Sequence, residues 1–149
     1  MNAAGVDRIL DRCRYYREVC AISAYMREGG IFMRVGAVGG VRMPSTLGVR
    51  VREKLPCRGP VVVEFDRQSR AWWTMLTGFA GPHLSECEMF ALLAASEAMV
   101  IPLGHEVRLP VPRDPIFRWL VDKPVDAFRP SPDDVVDAVL ACKAMPETG

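Results

Sequence analysis

The sequence predicts a single α+β domain in which helices pack against a small, mainly antiparallel sheet. The main observation is residues 60–81, where an apolar strand, a polar turn and a second apolar strand follow one another. Four segments with helical patterns flank this hairpin: a long one near the N-terminus, two short ones, and one near the C-terminus that carries explicit capping residues. A chain of 149 residues suits one domain with a substantial core.

Residues 3–28 are predicted to form the long N-terminal helix. Apolar residues recur there at steps of three and four, namely Val6, Ile9, Cys13, Tyr16, Cys20 and Ala24. The Gly-Gly pair that follows favours termination, because glycine adopts the positive φ of a helix C-cap. The stripe has two interpretations: it packs onto the domain, or residues 1–28 form a dimerisation element with the Tyr15-Tyr16 pair against a second copy.

The segment after this helix is the most basic part of the chain. Residues 31–41 indicate a strand interrupted by glycines, and residues 43–55 a short helix. Residues 1–60 carry eleven Lys and Arg against five Asp and Glu, whereas residues 61–149 carry eight against thirteen. This asymmetry indicates either an anion-binding face or two halves that neutralise each other in the fold. For a face, the expected nucleic-acid or anion contacts are Arg42, Arg50, Arg52, Lys54 and Arg58.

The central hairpin is predicted to have covered faces on both sides. Its elements are a strand at 61–65, a turn at 66–70 and a strand at 71–76. Side chains alternate at period two, so Val62 and Glu64 point to the face opposite Val63. The return strand likewise places Trp72 and Trp73 on opposite faces, so we expect other elements to pack against both.

The second half of the chain predicts further elements in the following order. A helix is predicted at 86–97, opened by a Ser85–Glu88 capping box, with Met89, Phe90, Leu92 and Leu93 buried. A second hairpin follows, in which residues 99–102 pair with residues 106–110. Residues 111–130 are predicted to be an extended stretch anchored by Ile116, Phe117 and Trp119. The last helix begins at Pro132 after the cap Ser131, with Asp133 and Asp134 favourable at its N-terminus. Residues 146–149 are expected to be a disordered tail.

Composition indicates a cytoplasmic protein. The five cysteines are scattered without a CxxC pair, which argues for a reducing compartment and against a disulfide framework. The sequence has neither the apolar core of a signal peptide nor a run long enough to span a membrane. We therefore expect no membrane partner.

Two residue pairs have a spacing compatible with metal binding. Glu64 and Asp66 would share one face of a continuous strand, as in a two-metal nucleotidyl-transfer motif, although Asp66 falls in the predicted turn, where aspartate is favoured by backbone hydrogen bonding. His83 and Cys87 have the spacing of half a zinc site, without a second pair to complete it. No nucleophile motif accompanies them, so the sequence assigns no catalytic, cofactor-binding or metal-binding residue.

Four segments together resemble a known family. They are VRMPSTLGVRVREKLPCRGPVVVEFDRQSRAWWTMLTG, AMVIPLGHEVRLP, FRWLVDKP and SPDDVVDAVL, which span roughly residues 41–142. In their order they are similar to small stand-alone proteins of high-GC bacteria that resemble the N-terminal part of bifunctional DNA primase/polymerases. The family's catalytic acidic pair and downstream histidine have no counterpart here, so the resemblance implies a shared scaffold without the active site.

Three functions are compatible with these patterns. The first is a non-enzymatic binding module without a cofactor, associated with nucleic acid through the basic segment or with a protein partner. The second is a divalent-metal phosphoryl- or nucleotidyl-transfer enzyme centred on Glu64 and Asp66. The third is a homo-oligomer that associates through residues 1–28.

Overall fold

The computed structural model describes the backbone of residues 3–144 and their side chains, except those of residues 3, 4, 6, 7, 85, 87, 88 and 144. Within this range the elements are α1 (Ala3–Glu18), β1 (Ala24–Arg27), β2 (Gly30–Arg34), β3 (Gly39–Pro44), α2 (Ser45–Lys54), β4 (Val61–Phe65), β5 (Ala71–Thr77), α3 (Cys87–Ala94), β6 (Met99–Val100), β7 (Glu106–Leu109), β8 (Phe117–Trp119) and α4 (Pro132–Ala144). A 3₁₀ turn over Pro82–Ser85 precedes α3. The predicted tail at 146–149 lies outside the described residues.

The strands form two antiparallel sheets, and with the helices they make the small α+β domain that the sequence predicts. The first sheet has the order β1-β2-β7, and the second has the order β6-β3-β5-β4-β8. The predicted central hairpin is confirmed as β4 and β5, with Val63 opposite Trp73. It lies in the interior of the second sheet, between β3 and β8.

The second sheet is covered on both faces, as the tryptophan pattern predicts. On one face, Val63 and Trp73 pack against residues of α2, α3 and α4. On the other, Leu76 and Trp119 pack against α1 and the first sheet. Burial of apolar surface on both sides makes this sheet the middle layer of the domain.

The long N-terminal helix ends at Glu18, so the prediction of a helix is wrong for residues 19–28. Ala21 has a positive φ of 53°, and β1 then pairs antiparallel with β2. From Cys20 to Ala24 every second residue is buried, which is the period of a strand. Glu28 and Gly29, with φ of 50° and 79°, form the two-residue turn of this hairpin, so the glycine serves a strand connection.

Two strand predictions also need correction. The predicted strand at 31–41 is two strands, β2 and β3, which belong to different sheets. The predicted second hairpin is wrong, because β6 pairs with β3 and β7 pairs with β2. The intervening segment instead bonds to β3 and to the β2–β3 connection: Ile101 N donates to Gly40 O of β3, and Gly104 N donates to Val35 O of the connection.

Helix α3 is shorter and more exposed than the sequence predicts. Its N-cap position is Glu86 rather than Ser85, and the side chains of the predicted capping box lie outside the described set. Phe90 is 58% exposed and Leu92 is 44% exposed, so their predicted burial is wrong. Ile116 was also predicted to anchor the chain and is instead exposed.

The N-cap of α4 is confirmed, because the backbone N–H of Asp133 donates to Ser131 Oγ at 3.1 Å. Phe117 and Trp119 also anchor their segment as predicted, through β8, which pairs with β4. The cap depends on residues two positions apart in the sequence. The anchoring of residues 117–119 depends on large aromatic side chains.

The apolar stripe of α1 packs inside the domain. Ile9, Cys13 and Tyr16 are buried against the first sheet and part of the second. The Tyr16 hydroxyl donates to Pro110 O at 2.6 Å and accepts from Trp119 Nε1 at 3.0 Å. Self-association through residues 1–28 stays a prediction, but it would need a different face of the helix.

Replacing Tyr16 by Phe is expected to destabilise the protein by roughly 1–3 kcal/mol, because the buried Pro110 carbonyl and Trp119 N–H lose their partner. Tyr15→Phe is the control, since the half-buried Tyr15 hydroxyl donates to Pro124 O nearer the surface. Urea unfolding monitored by tryptophan fluorescence gives both values. Equal losses would contradict a special role for Tyr16.

Replacing Gly48 by Ala is expected to cost about 1–3 kcal/mol despite the higher helix propensity of alanine. A Cβ at this position of α2 would lie 2.4 Å from Trp73 Cε3, and Trp73 is buried. Gly78→Ala is the control, because a Cβ there meets nothing within 4 Å. Thermal unfolding of the two variants measures the difference, and an unchanged Gly48→Ala protein would refute the close packing.

Candidate functional site

The five predicted basic contacts do not form one surface. Arg42 lies on β3, where it pairs with Glu64 at 3.0 Å. Arg50 donates to Cys142 O at 2.9 Å, at the contact between α2 and α4. The remaining residues lie toward the end of α2 and beyond: Arg52 and Arg58 line a cavity with residues 121–126, and Lys54 is exposed. Whether any of them contacts nucleic acid stays a prediction.

Both residues of the predicted acidic pair, Glu64 and Asp66, accept hydrogen bonds from other residues of the protein. Glu64 accepts from Arg42, whereas Asp66 lies in the hairpin turn and accepts from the backbone N–H groups of Gln68 and Arg70. These hydrogen bonds, with that from Trp72 Nε1, hold the pKa of Asp66 below its usual value. Asp66 therefore has the structural role that its turn position predicts, whereas Glu64 lies on β4.

One residue of the predicted half zinc site, His83, contacts a carboxylate. His83 Nε2 lies 2.7 Å from Asp133 Oδ1, and the side chain of Cys87 is outside the described set. Among the described side chains, no group of three or more His, Cys, Asp or Glu is arranged to hold a metal ion.

A different surface combines positive charge with aromatic rings. It is the outer face of the first sheet, which we call the arginine–aromatic face, formed by Tyr25, Arg27, Phe32, Arg34, Glu106 and Arg108. Alternation along the three strands places these residues together, because the opposite face carries the buried residues of the core. Three arginines and one glutamate give the face a net charge of +2.

The two rings of this face are stacked and flanked by guanidinium groups. Tyr25 and Phe32 are cross-strand partners with centroids 6.1 Å apart and planes inclined by 26°. Arg27 lies 4.5 Å from the Phe32 centroid, and Arg34 lies 5.7 Å from that of Tyr25. Such cation–π contacts hold the guanidinium planes at the surface of the sheet.

Glu106 organises one side of the face. It accepts from the Tyr25 hydroxyl and from Arg27. The hydrogen bond from Tyr25, and then that from Arg27, lower the pKa of Glu106, while the same contact raises the pKa of Tyr25. The Glu106 carboxylate is therefore ionised at neutral pH, and each of its oxygens accepts a hydrogen bond from another residue of the face. The other two arginines make longer polar contacts with described residues: Arg34 to Gly104 O at 3.5 Å, and Arg108 to Asp114 at 3.8 Å.

A cleft of about 230 Å³ adjoins this face, between β7 and the second sheet; we call it the inter-sheet cleft. Arg108 and Glu106 line it from the first sheet, and Arg42 and Glu64 line it from the second. Phe117 and apolar side chains of both sheets complete its wall. Two positive and two negative side chains thus share one small space.

Arg108 lines this cleft with the end of its side chain, which is 33% exposed. Its guanidinium lies 5.3 Å from the Phe32 centroid and 5.2 Å from that of Phe117, which places it between the two sheets. Gly30 makes room for it, since a Cβ there would lie 2.8 Å from Arg108 Cζ. The buried Nε lies against Gly30, so the terminal guanidinium nitrogens are the donors that Arg108 offers to a ligand in the cleft; Nη2 is 3.8 Å from Asp114, beyond hydrogen-bond distance.

Sequence reasoning missed this surface because it assigned residues 24–28 to a helix. A usable signal was present: Tyr25, Arg27, Phe32 and Arg34 alternate with apolar residues on both sides of Glu-Gly, a pattern typical of a half-buried hairpin. The contribution of Arg108 has no local signal, because it depends on the pairing of β7 with β2.

No protein-family model, curated protein or solved structure matches the chain. The resemblance to the N-terminal part of primase/polymerases therefore stays a prediction. Among the described residues, no helix is long and apolar enough to cross a membrane.

Glu106→Gln is expected to destabilise the protein at neutral pH and to have a smaller effect in acid. Because the folded-state pKa of Glu106 is lowered, its contribution to stability is complete above its unfolded pKa of about 4.3 and is lost as the pH falls through the folded value. Urea unfolding at neutral pH and near pH 3 measures this change. The control is Glu28→Gln, whose side chain is 84% exposed. A pH-independent difference between wild type and Glu106→Gln would contradict the assignment.

Proposed function

We propose that the protein is a non-enzymatic module that binds single-stranded nucleic acid on the arginine–aromatic face. The observation that carries this proposal is the exposed sheet face on which two stacked rings lie among three arginines. Positive charge attracts a phosphate backbone, and aromatic rings and guanidinium planes stack on bases.

A single strand suits this face better than a duplex. Bases in a duplex are stacked on each other and hide their faces, whereas an unpaired strand exposes them to a flat sheet. The guanidinium groups of Arg27 and Arg34 already lie over the rings of Phe32 and Tyr25, 4.5 Å and 5.7 Å from the ring centroids. A base can stack on such a plane without a large change in the protein.

The charge of the face limits the affinity. A net charge of +2 can neutralise about two phosphates, and for single strands this corresponds to a slope of log K against log salt of about −1.4. Affinity should then fall roughly sevenfold between about 50 mM and 200 mM salt. A net charge of +1 for the whole chain adds little long-range attraction.

The test is fluorescence anisotropy of labelled single- and double-stranded oligonucleotides with two charge-reversal variants. Arg34→Glu changes an exposed residue of the face, and Lys54→Glu changes an exposed residue of the basic segment on α2. We expect Arg34→Glu to weaken single-strand binding about tenfold and Lys54→Glu to have little effect.

Either of two results would contradict the proposal. Loss of binding in Lys54→Glu but not in Arg34→Glu would assign the interaction to the basic segment that the sequence favours. No binding of wild type to any strand at low salt would exclude nucleic acid as the ligand and direct attention to protein partners. A circular dichroism spectrum of each variant establishes that it is folded.

A further inference from the structure

We propose that the inter-sheet cleft binds one guanine base of the strand, with Arg108 donating to its acceptor edge and Glu64 accepting from its donor edge. The inference rests on the proposed function, because it names the base that the same bound strand would insert next to the arginine–aromatic face. Arg108 belongs to both the face and the cleft, so a strand on the face passes the entrance of the cleft.

The size and walls of the cleft favour a flat ring. Its volume of about 230 Å³ is below the range of roughly 300–1,000 Å³ that holds a drug-sized ligand. Phe117 lines one side, and Val62 and Ile101 provide apolar surface. A single base, with its sugar and phosphate outside, suits this space better than a complete nucleotide.

The charges of the cleft argue against a phosphate as the occupant. Arg42 and Arg108 are matched by Glu64 and Glu106, so the cleft has no net charge. A carboxylate beside a phosphate is unfavourable, whereas a ligand with both donors and acceptors satisfies both kinds of side chain. Nucleobases are such ligands.

The available hydrogen-bonding groups select among the bases. Arg108 lines the cleft with a guanidinium whose Nη2 is 3.8 Å from Asp114, beyond hydrogen-bond distance, and Arg–guanine pairing to O6 and N7 is the commonest specific arginine contact to a base. Glu64 uses Oε1 for Arg42 at 3.0 Å and retains lone pairs that can accept from N1–H and the 2-amino group. Guanine alone offers two adjacent donors on one edge and two acceptors on another.

The experiment compares short labelled oligothymidylate strands in which every fourth base is guanine, inosine, adenine or cytosine. Inosine keeps O6 and N7 but lacks the 2-amino group, so it tests the contact to Glu64 on the ligand side. We expect guanine strands to bind about tenfold more tightly than adenine, cytosine or unsubstituted strands, with inosine between them.

The protein side is tested with Glu64→Gln and the control Glu97→Gln. Glu97 also pairs with an arginine, Arg70, and its exposed side chain does not line the cleft. Glu64→Gln should reduce the preference for guanine over inosine strands, because the amide keeps one acceptor oxygen and replaces the other by an NH2 donor, whereas Glu97→Gln should keep the preference. Because inosine is compared with guanine on the same protein, a general loss of stability in the variant does not mimic this result.

Failure of this inference is distinguishable from failure of the proposed function. Equal binding of all four substituted strands, still weakened by Arg34→Glu, would overturn the guanine site and leave the face as a base-independent binding surface. A guanine preference that persists unchanged in Glu64→Gln would also overturn it. No binding of any strand would overturn the proposed function itself.

Discussion

The buried hydroxyl of Tyr16 is the contact on which the arrangement of the two sheets depends. It belongs to α1, donates to the carbonyl of Pro110 just after β7 of the first sheet, and accepts from Trp119 on β8 of the second. Burial makes each of these polar groups costly to leave unpaired, so the three elements are held in one relative position. The inter-sheet cleft lies between the sheets that this hydroxyl joins.

Local sequence signals identified the central hairpin and the cap of α4. Val61–Phe65 is β-branched and aromatic, the polar turn carries Asp66, and Ser131 precedes Pro132. Each signal acts through atoms a few residues apart, and each corresponds to a hydrogen bond or strand pair in the structure. Such features are predictable because the remainder of the chain does not decide them.

Pairing between strands that are distant in the sequence explains the elements that sequence analysis assigned wrongly. The segment after Glu18 fits a helical stripe, yet its alternation at Cys20, Ile22 and Ala24 fits a strand equally well, and only the partner β2 decides between them. The segments at β6 and β7 look like a hairpin because they are close in sequence, but each finds a better partner among earlier strands. For an anion-binding face, the charge asymmetry led to the basic segment around α2, whereas Arg108 joins Arg27 and Arg34 only after this pairing.

The arginine–aromatic face and the cleft differ in charge, and this difference divides their proposed tasks. The face carries a net +2, so its attraction for a strand is electrostatic, independent of sequence and weakened by salt. The cleft has no net charge, and its interactions are short hydrogen bonds in a partly desolvated space, which salt screens much less. Affinity and base preference should therefore respond differently to ionic strength: raising the salt lowers binding of every strand while the ratio between guanine and other strands persists. A ratio that collapsed together with the affinity would mean that the cleft acts only as an extension of the positive face.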